Sequence, residues 1–302
     1  RGARRMNGDD LIERILREGE RRADEVEVFY ARGLSVATEI KKGVLGNAEE
    51  SEAWSMAVRT VKDGRIGFSA TSDPDRWKEC LDAALASGRL ATPQQWGGFP
   101  KPADLAGTPS ANDENLVVAV EDAARMVGEL LSGAAEHPVE VVGGGADLAR
   151  SYLAVANSNG VFYGMDRTVA SVSLEAIREQ STGYEFDASP FLADIDARSV
   201  GEQAASLAAR SLGGRDINTG RYDVVLSPIA AASLLGQVLL PALSGRNVKA
   251  GRSFLAEKVG EQVFDERLSV YDDPFAPGLG STAFDAEGVP TRRLVFVEQG
   301  ML

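Results

Sequence analysis

Hydrophobic positions along the first half of the chain recur with two different periods. In "NGDDLIERILREGERRA", Leu11, Ile12, Ile15 and Leu16 fall three and four apart, which predicts an amphipathic helix opened by Asn7 or Asp9. "EVEVFYARG" alternates apolar and polar residues as a strand does, and "SVATEIKKG" is predicted as its hairpin partner. Two alternating runs in "AWSMAVRTVKDGRIGFSATS" flank Asp63-Gly64, a pair that favours a tight hairpin turn. "DPDRWKECLDAALASGRL" reads as a helix with Asp73 at its start. Residues 92–112 are rich in Pro and Gly and carry no periodicity, which predicts a long ordered loop or a boundary. "ENLVVAVEDAARMVGELLSGAAEH" is an amphipathic helix ending near Gly133. Strands follow in "VEVVGGG", "RSYLAVANSNG" and "VFYGMDRTVASVSLEAIRE", with Asn159-Gly160 as a turn, and then a helix stopped by Gly213-Gly214.

A second boundary is predicted at "RDINTGRYD". Beyond it a strand, "YDVVLS", runs into "LSPIAAASLLGQVLLPALSG", with Ser227 as helix cap and Pro228 at the first helical position. Ile229, Ala232, Leu234, Leu235, Val238, Leu239 and Leu243 cover nearly the whole circumference of this helix, and Ser233 and Gln237 share one narrow polar edge. A helix apolar all round is expected in a core or an interface. Pro241 is expected to kink it or to mark its last turn. Hairpin signals outnumber crossover signals, so the predicted class is α+β. An N-terminal domain of helices on a mainly antiparallel sheet spans 1–218, with a break near 92–112 as the place to divide it. A strand-rich C-terminal domain begins at 219 and runs to 302.

Composition narrows the function classes. The net charge of −13 over 302 residues repels phosphate backbones, and no local run of Lys and Arg offsets it, so direct nucleic-acid binding is not expected. A single cysteine, Cys80, excludes an intrachain disulfide. The longest apolar run is broken by Gln237 and Pro241 short of the roughly 20 residues that a bilayer span needs. The basic "RGARRM" has no apolar segment after it and is no signal peptide; Met6 is one reading of the native start. The expected location is the cytoplasm.

Candidate chemistry is sparse. The one histidine, His137, precedes a proline at a helix-to-strand turn and is expected to be a solvated turn residue. Cys80 sits inside a helix with no base in sight and reads as packing. Gly143-Gly144-Gly145 lacks the Lys-Ser/Thr of a phosphate loop, so a hairpin or bulge is expected. Asp272, Asp273, Asp285 and Glu287 are hard-cation ligands by type, but their spacing closes no ligand set and suits turns as well. Ser227 and Ser233 have no histidine to activate them.

Four stretches resemble the TldD/PmbA family, whose PmbA members are also called TldE and were earlier described as modulators of DNA gyrase. They are "RTVKDGRIGFSATSD", "VANSNGVFYG", the apolar helix followed by "GRSFLAEKVGEQVFDERLSVYDDP", and "FDAEGVPTRRLVFVEQGML". The last is similar to a motif written D-D-E-G-V-P-T, here Asp285-Ala286-Glu287-Gly288-Val289-Pro290-Thr291. The resemblance marks Asp285, Glu287, Gly288 and Pro290 as candidate binding residues. TldD-type members carry H-E-x-x-x-H on the helix, where the histidines bind a catalytic metal and the Glu serves as base. The matching positions here are Gly236, Gln237 and Pro241, which supply neither ligand nor base.

The resemblance therefore implies a PmbA/TldE-like subunit with no catalytic residue and no metal or cofactor of its own. A zinc-type metal is expected only in a TldD-like metallopeptidase partner. It further implies a homo- or hetero-dimer acting on unfolded peptides or small proteins, with no nucleic acid and no membrane. Family members continue past the position of Leu302, so the C-terminal domain is expected to be cut short. Two other readings stay open: a stand-alone metal-dependent peptidase using the acids from Asp272 to Glu287, and a non-enzymatic interaction protein acting on gyrase.

Overall fold

The structure, a computed structural model, describes residues 8–302; residues 1–7, including the expected cap Asn7 and the candidate start Met6, lie outside the described residues. The chain forms two compact units. One is the chain up to Gly213 together with Pro274–Thr291, and the other is Gly214–Asp273 with Arg292–Leu302. The division falls a few residues before the expected boundary at 218/219. The return of Pro274–Thr291 to the first unit has no counterpart in the sequence periodicity.

The first unit is built on a six-stranded sheet. Its strands are β1 (Glu25–Lys41), β2 (Val44–Lys62), β3 (Arg65–Thr71), β4 (Glu140–Asn157), β5 (Phe162–Arg178) and β6 (Ser181–Ser189). They lie in the order β3-β2-β1-β4-β5-β6, every neighbouring pair antiparallel. This is the α+β arrangement the patterning predicts, and because β1 pairs with β4, the residues on either side of 92–112 share one sheet. Asp63 and Gly64 adopt φ of 50° and 69° and join β2 to β3 as expected. The twist of the strands favours such a turn, because two positive φ angles in succession match their right-handed coil.

Two strand assignments need correction. "EVEVFYARG" and "SVATEIKKG" do not pair with each other; both belong to β1, whose partner is β2. Gly33 lies mid-strand opposite Ala53 and Ser151, and the reversal comes at Lys42-Gly43, with φ of 51° and 73°. Likewise "VEVVGGG" and "RSYLAVANSNG" form the single strand β4. A bulge between Val141 and Gly143 interrupts its register without ending it, which is the structural role expected for the glycine run.

Strand alternation sorts the side chains onto two faces. Val26, Val28 and Tyr30 of β1, with Met56 and Val58 of β2, face α1 (Gly8–Glu20) and α2 (Trp77–Leu90), where Leu11, Ile12, Ile15, Cys80 and Leu81 are buried. Further along the same face, Val36, Leu148, Val172 and Leu174 meet α3 (Val120–Ala134) and α4 (Ala197–Arg210). The opposite face of the sheet carries a separate, smaller cluster. There Ala111, Ala283 and Phe284 pack on Val155 and Met165, so loop segments provide the cover.

The second unit holds α5 (Pro228–Leu234), a π turn at Leu235–Leu239, α6 (Leu240–Leu243), α7 (Gly245–Lys249) and an antiparallel pair of β7 (Val270–Asp272) and β8 (Leu294–Val297). Ser227 caps α5 by accepting from the Ala230 N–H, and Pro228 takes the first helical position. The strand expected at "YDVVLS" does not form. A strand needs a neighbour for its backbone, none pairs with these residues among those described, and Val225 is 99% exposed. The apolar helix is not buried all round either. Leu239 and Ala242 pack on Leu255, whereas Leu234, Leu235, Val238 and Leu240 are about half exposed, because this unit offers few apolar groups to set against them.

Candidate functional site

The motif positions of the apolar helix come first. Gly236 and Gln237 lie in the π turn, and Pro241 lies in α6 just after it; all three are exposed. Proline at 241 would drive its ring into the carbonyl of Gln237 in a regular α-helix. The widened turn, in which the Leu240 N–H donates to the Leu235 carbonyl, relieves that clash. A Cβ built on Gly236 would meet nothing within 4 Å. Neither Gly236 nor Pro241 has a side-chain donor atom, and the Gln237 amide is neutral. These residues do not fit a catalytic metal, and no proton transfer can be routed through them.

The second motif segment folds into a tight turn against the sheet. Asp285 is its organiser: the Oδ1 atom accepts from the N–H of Glu287 and of Val289, each at 2.9 Å, and its own N–H donates to the Val289 carbonyl. A short side-chain acceptor closing its own turn is a recurring use of aspartate. Pro290 bridges back to Phe284, and the Thr291 N–H donates to the Ala283 carbonyl. Gly288 has φ of 75°, and a Cβ there would stand 2.9 Å from Val161 Cγ1 and 3.3 Å from Val155 Cγ1. Glycine therefore lets the turn press onto β4 and onto Val161, just before β5. Asp285, Gly288 and Pro290 shape the turn, and Glu287 is the residue it aims at charged neighbours.

Those neighbours are Arg59 and Glu27, which stand directly opposite each other on β2 and β1. Arg59 donates from Nε and Nη2 to Oε1 of Glu27, at 3.1 and 2.7 Å, and from Nη1 to Oε1 of Glu287 at 3.1 Å. The guanidinium also lies 5.0 Å from the ring centre of Phe99. Phe99 is held in place through Glu25, whose Oε2 accepts from the Phe99 N–H and from Trp96 Nε1. Glu27 is only 6% exposed, and its Oε2 atom is buried with no hydrogen-bond partner. Burial pushes the Glu27 carboxyl up from its ordinary value, Arg59 pulls it back, and Glu287 and Asp285 add a smaller upward push. Beside this cluster, between the sheet and the turn, lies an open groove of about 360 Å³ lined also by Phe29, Ala57, Phe68 and Ala286.

Sequence reasoning singles out Glu287 and misses Glu27, Arg59 and Phe99. Glu27 alternates with Val26 and Val28 and so reads as a solvent-facing strand residue. It is buried beside Arg59 and the 283–291 turn, and no local signal announces those contacts.

The remaining candidates sort simply. His137 lies in the bend between α3 and β4, and Cys80 is buried in α2, where burial pushes its thiol up. Asp272 and Asp273 belong to the second unit and Asp285 and Glu287 to the first. Among the described residues, no group of three or more His, Cys, Asp or Glu is placed to hold a metal ion, and no helix is long and apolar enough to cross a membrane. Arg22, Lys62, Arg65 and Arg89 line a cavity of about 350 Å³ together with Asp63. Three of these cations are already engaged, Arg22 with Asp82, Lys62 with the Arg22 carbonyl and Arg65 with the Ala91 carbonyl.

Three consecutive models of one family match the chain. They are PmbA/TldA metallopeptidase domain 1 over residues 26–88, the central domain over 111–212 and the C-terminal domain over 219–302. The chain belongs to the PmbA/TldD family. It is 26% identical to metalloprotease PmbA of Escherichia coli O157:H7 over 303 residues, which covers 95% of this chain and 66% of that protein. Among solved structures, TldE from Thermococcus kodakarensis superposes with a TM-score of 0.84 at 27% identity, covering 96% of this chain and 68% of that one. A Thermotoga maritima protein, described provisionally as a modulator of a DNA gyrase, superposes with a TM-score of 0.87, covering 98% and 70%. At 22% identity that likeness speaks for the α+β fold alone. This chain spans about two thirds of the length of these relatives.

Proposed function

We propose that this chain is a non-catalytic, PmbA/TldE-type subunit that works beside a metal-bearing TldD-like relative on unfolded peptides or small proteins. The observation that carries the reading is the side-chain chemistry at Gly236, Gln237 and Pro241. The helix of the family is present, yet the three positions where ligands and base would stand hold a hydrogen atom, a neutral amide and a closed ring. A zinc-type metal then belongs to the partner, whose histidines provide what these positions do not. What the partner's metal supplies is a bound water of lowered pKa. The acidic surface of this chain favours solubility and partner choice over nucleic-acid contact, and the cytoplasm is the compartment proposed for the pair.

The test is co-purification of the chain with a TldD-like protein from the same genome, followed by a peptidase assay on a denatured substrate. The expected result is a stable complex, with proteolysis that requires both subunits and a metal content that tracks the TldD-like subunit. Tight stoichiometric metal in this chain alone, with peptidase activity to match, would overturn the reading in favour of a stand-alone enzyme.

A further inference from the structure

The groove beside Glu27 combines three features. Its walls are apolar: Phe29 and Ala57 from the sheet, Phe68, which is 60% exposed, and Ala286 from the turn. Its charged end holds two carboxylates, Glu27 and Glu287, against the single cation Arg59. Arg59 already spends three of its five N–H donors on them, which leaves the end with one more negative charge than positive. Finally, Oε2 of Glu27 is buried without a donor, because both Arg59 contacts land on Oε1. An unpaired acceptor of this kind raises the free energy of the folded chain, and a ligand that brings a donor recovers it.

A ligand suited to all three has an aliphatic stem and a compact cation at its tip. The stem lies against the aromatic and methyl walls, as long basic side chains do on apolar surfaces. The tip meets the exposed carboxylate of Glu287, and Glu27, which also lines the groove, turns its unpaired oxygen toward it on binding. An ammonium fits better than a guanidinium, whose five donors in a rigid fork would meet too few acceptors here. A metal ion fits less well, since Arg59 already bridges the two carboxylates.

We propose that this groove receives a lysine side chain of the bound peptide. The proposal rests on the peptide-handling reading above and adds a substrate preference to it. The probes are an acetylated, amidated alanine–lysine–alanine peptide and its norleucine counterpart, which has the same stem without the charge. They are titrated into the full chain alone, followed by calorimetry and by the methyl resonances of Ala57 and Ala286. The lysine peptide is expected to saturate shifts at both alanines and to bind on the order of tenfold more tightly than the norleucine peptide. Glu287→Gln, on an exposed side chain, is expected to weaken lysine binding several-fold, and Ala57→Leu is expected to fill the groove and abolish the shifts. Equal binding of the two peptides, no shift with millimolar lysine peptide, or lysine binding indifferent to both substitutions would each overturn the proposal. Because no partner is present, these outcomes are separate from whether a complex with a TldD-like subunit forms.

Discussion

The turn at 283–291 and the helical stretch at 228–243 both carry residues that the family resemblance singles out, but they are held by different physics. The turn is tied at many points: Asp285 closes it, Gly288 seats it on the two valines, and Glu287 engages Arg59, itself locked to Glu27. The helix keeps its caps and backbone, yet half of its large apolar side chains face outward and Gly236 has empty space around it. Both regions are well-defined backbone shapes, but of the two the turn is the one that brings charged groups to a common point. A candidate site is thus better sought beside the turn than along the helix.

The contrast can be broken by substitution. The largest effect is expected from Arg59→Ala, which leaves a buried carboxylate without its cation. Allowing for the partial exposure of Arg59, the loss is about 3 kcal/mol in urea denaturation of the full chain. A loss well under 1 kcal/mol would mean that Glu27 is already served by solvent. Next comes Gly288→Ala, which forces a side chain into a positive φ and against Val161 and is expected to cost about 2 kcal/mol by the same measurement.

A third prediction concerns pH. Burial raises the Glu27 carboxyl above the ordinary glutamate value of 4.5, so the folded chain holds that proton more tightly than the unfolded chain. The stability this contributes is complete below the ordinary value and is lost as pH rises through the raised one. Glu27→Gln does not titrate. Its stability relative to the parent chain should therefore grow across that window and level off above it, as read from denaturation curves at stepped pH. A difference that stays flat would show that Arg59 cancels the burial. The smallest effect, of opposite sign to that at Gly288, is expected from Gly236→Ala. With open space around the site and helical backbone, alanine should stabilise by about 0.5 kcal/mol. If both glycine changes destabilise alike, the distinction between the two regions fails.

Features that depend on neighbours in sequence were legible before the fold was known. The Asp63-Gly64 turn, the Asp73 and Ser227 caps and the apolar face of α1 are each set within a few residues. Features that depend on distant partners were not. Gly33 looked like a strand end because nothing local shows that two strands flank it. "YDVVLS" has strand composition, but composition supplies no neighbour to pair with. Glu27 has the pattern of a surface residue, yet it is buried beside Arg59, which in turn holds Glu287 from a distant part of the chain, and no local pattern records such contacts. The absent metal donors at Gly236, Gln237 and Pro241 were readable only because the family resemblance says what could have stood there.

One feature of the sheet bears on handling the protein. β3 pairs with β2 only over Met56–Lys62, so the earlier half of β2 has β1 on one side and, among the described residues, no strand on the other. That margin could template stacking between copies, and it carries Glu49, Glu50 and Glu52. Acidic side chains crowded along an open margin repel an identical margin, a form of protection against runaway aggregation. Acidic buffers or high salt weaken that repulsion, so light scattering should rise first under those conditions.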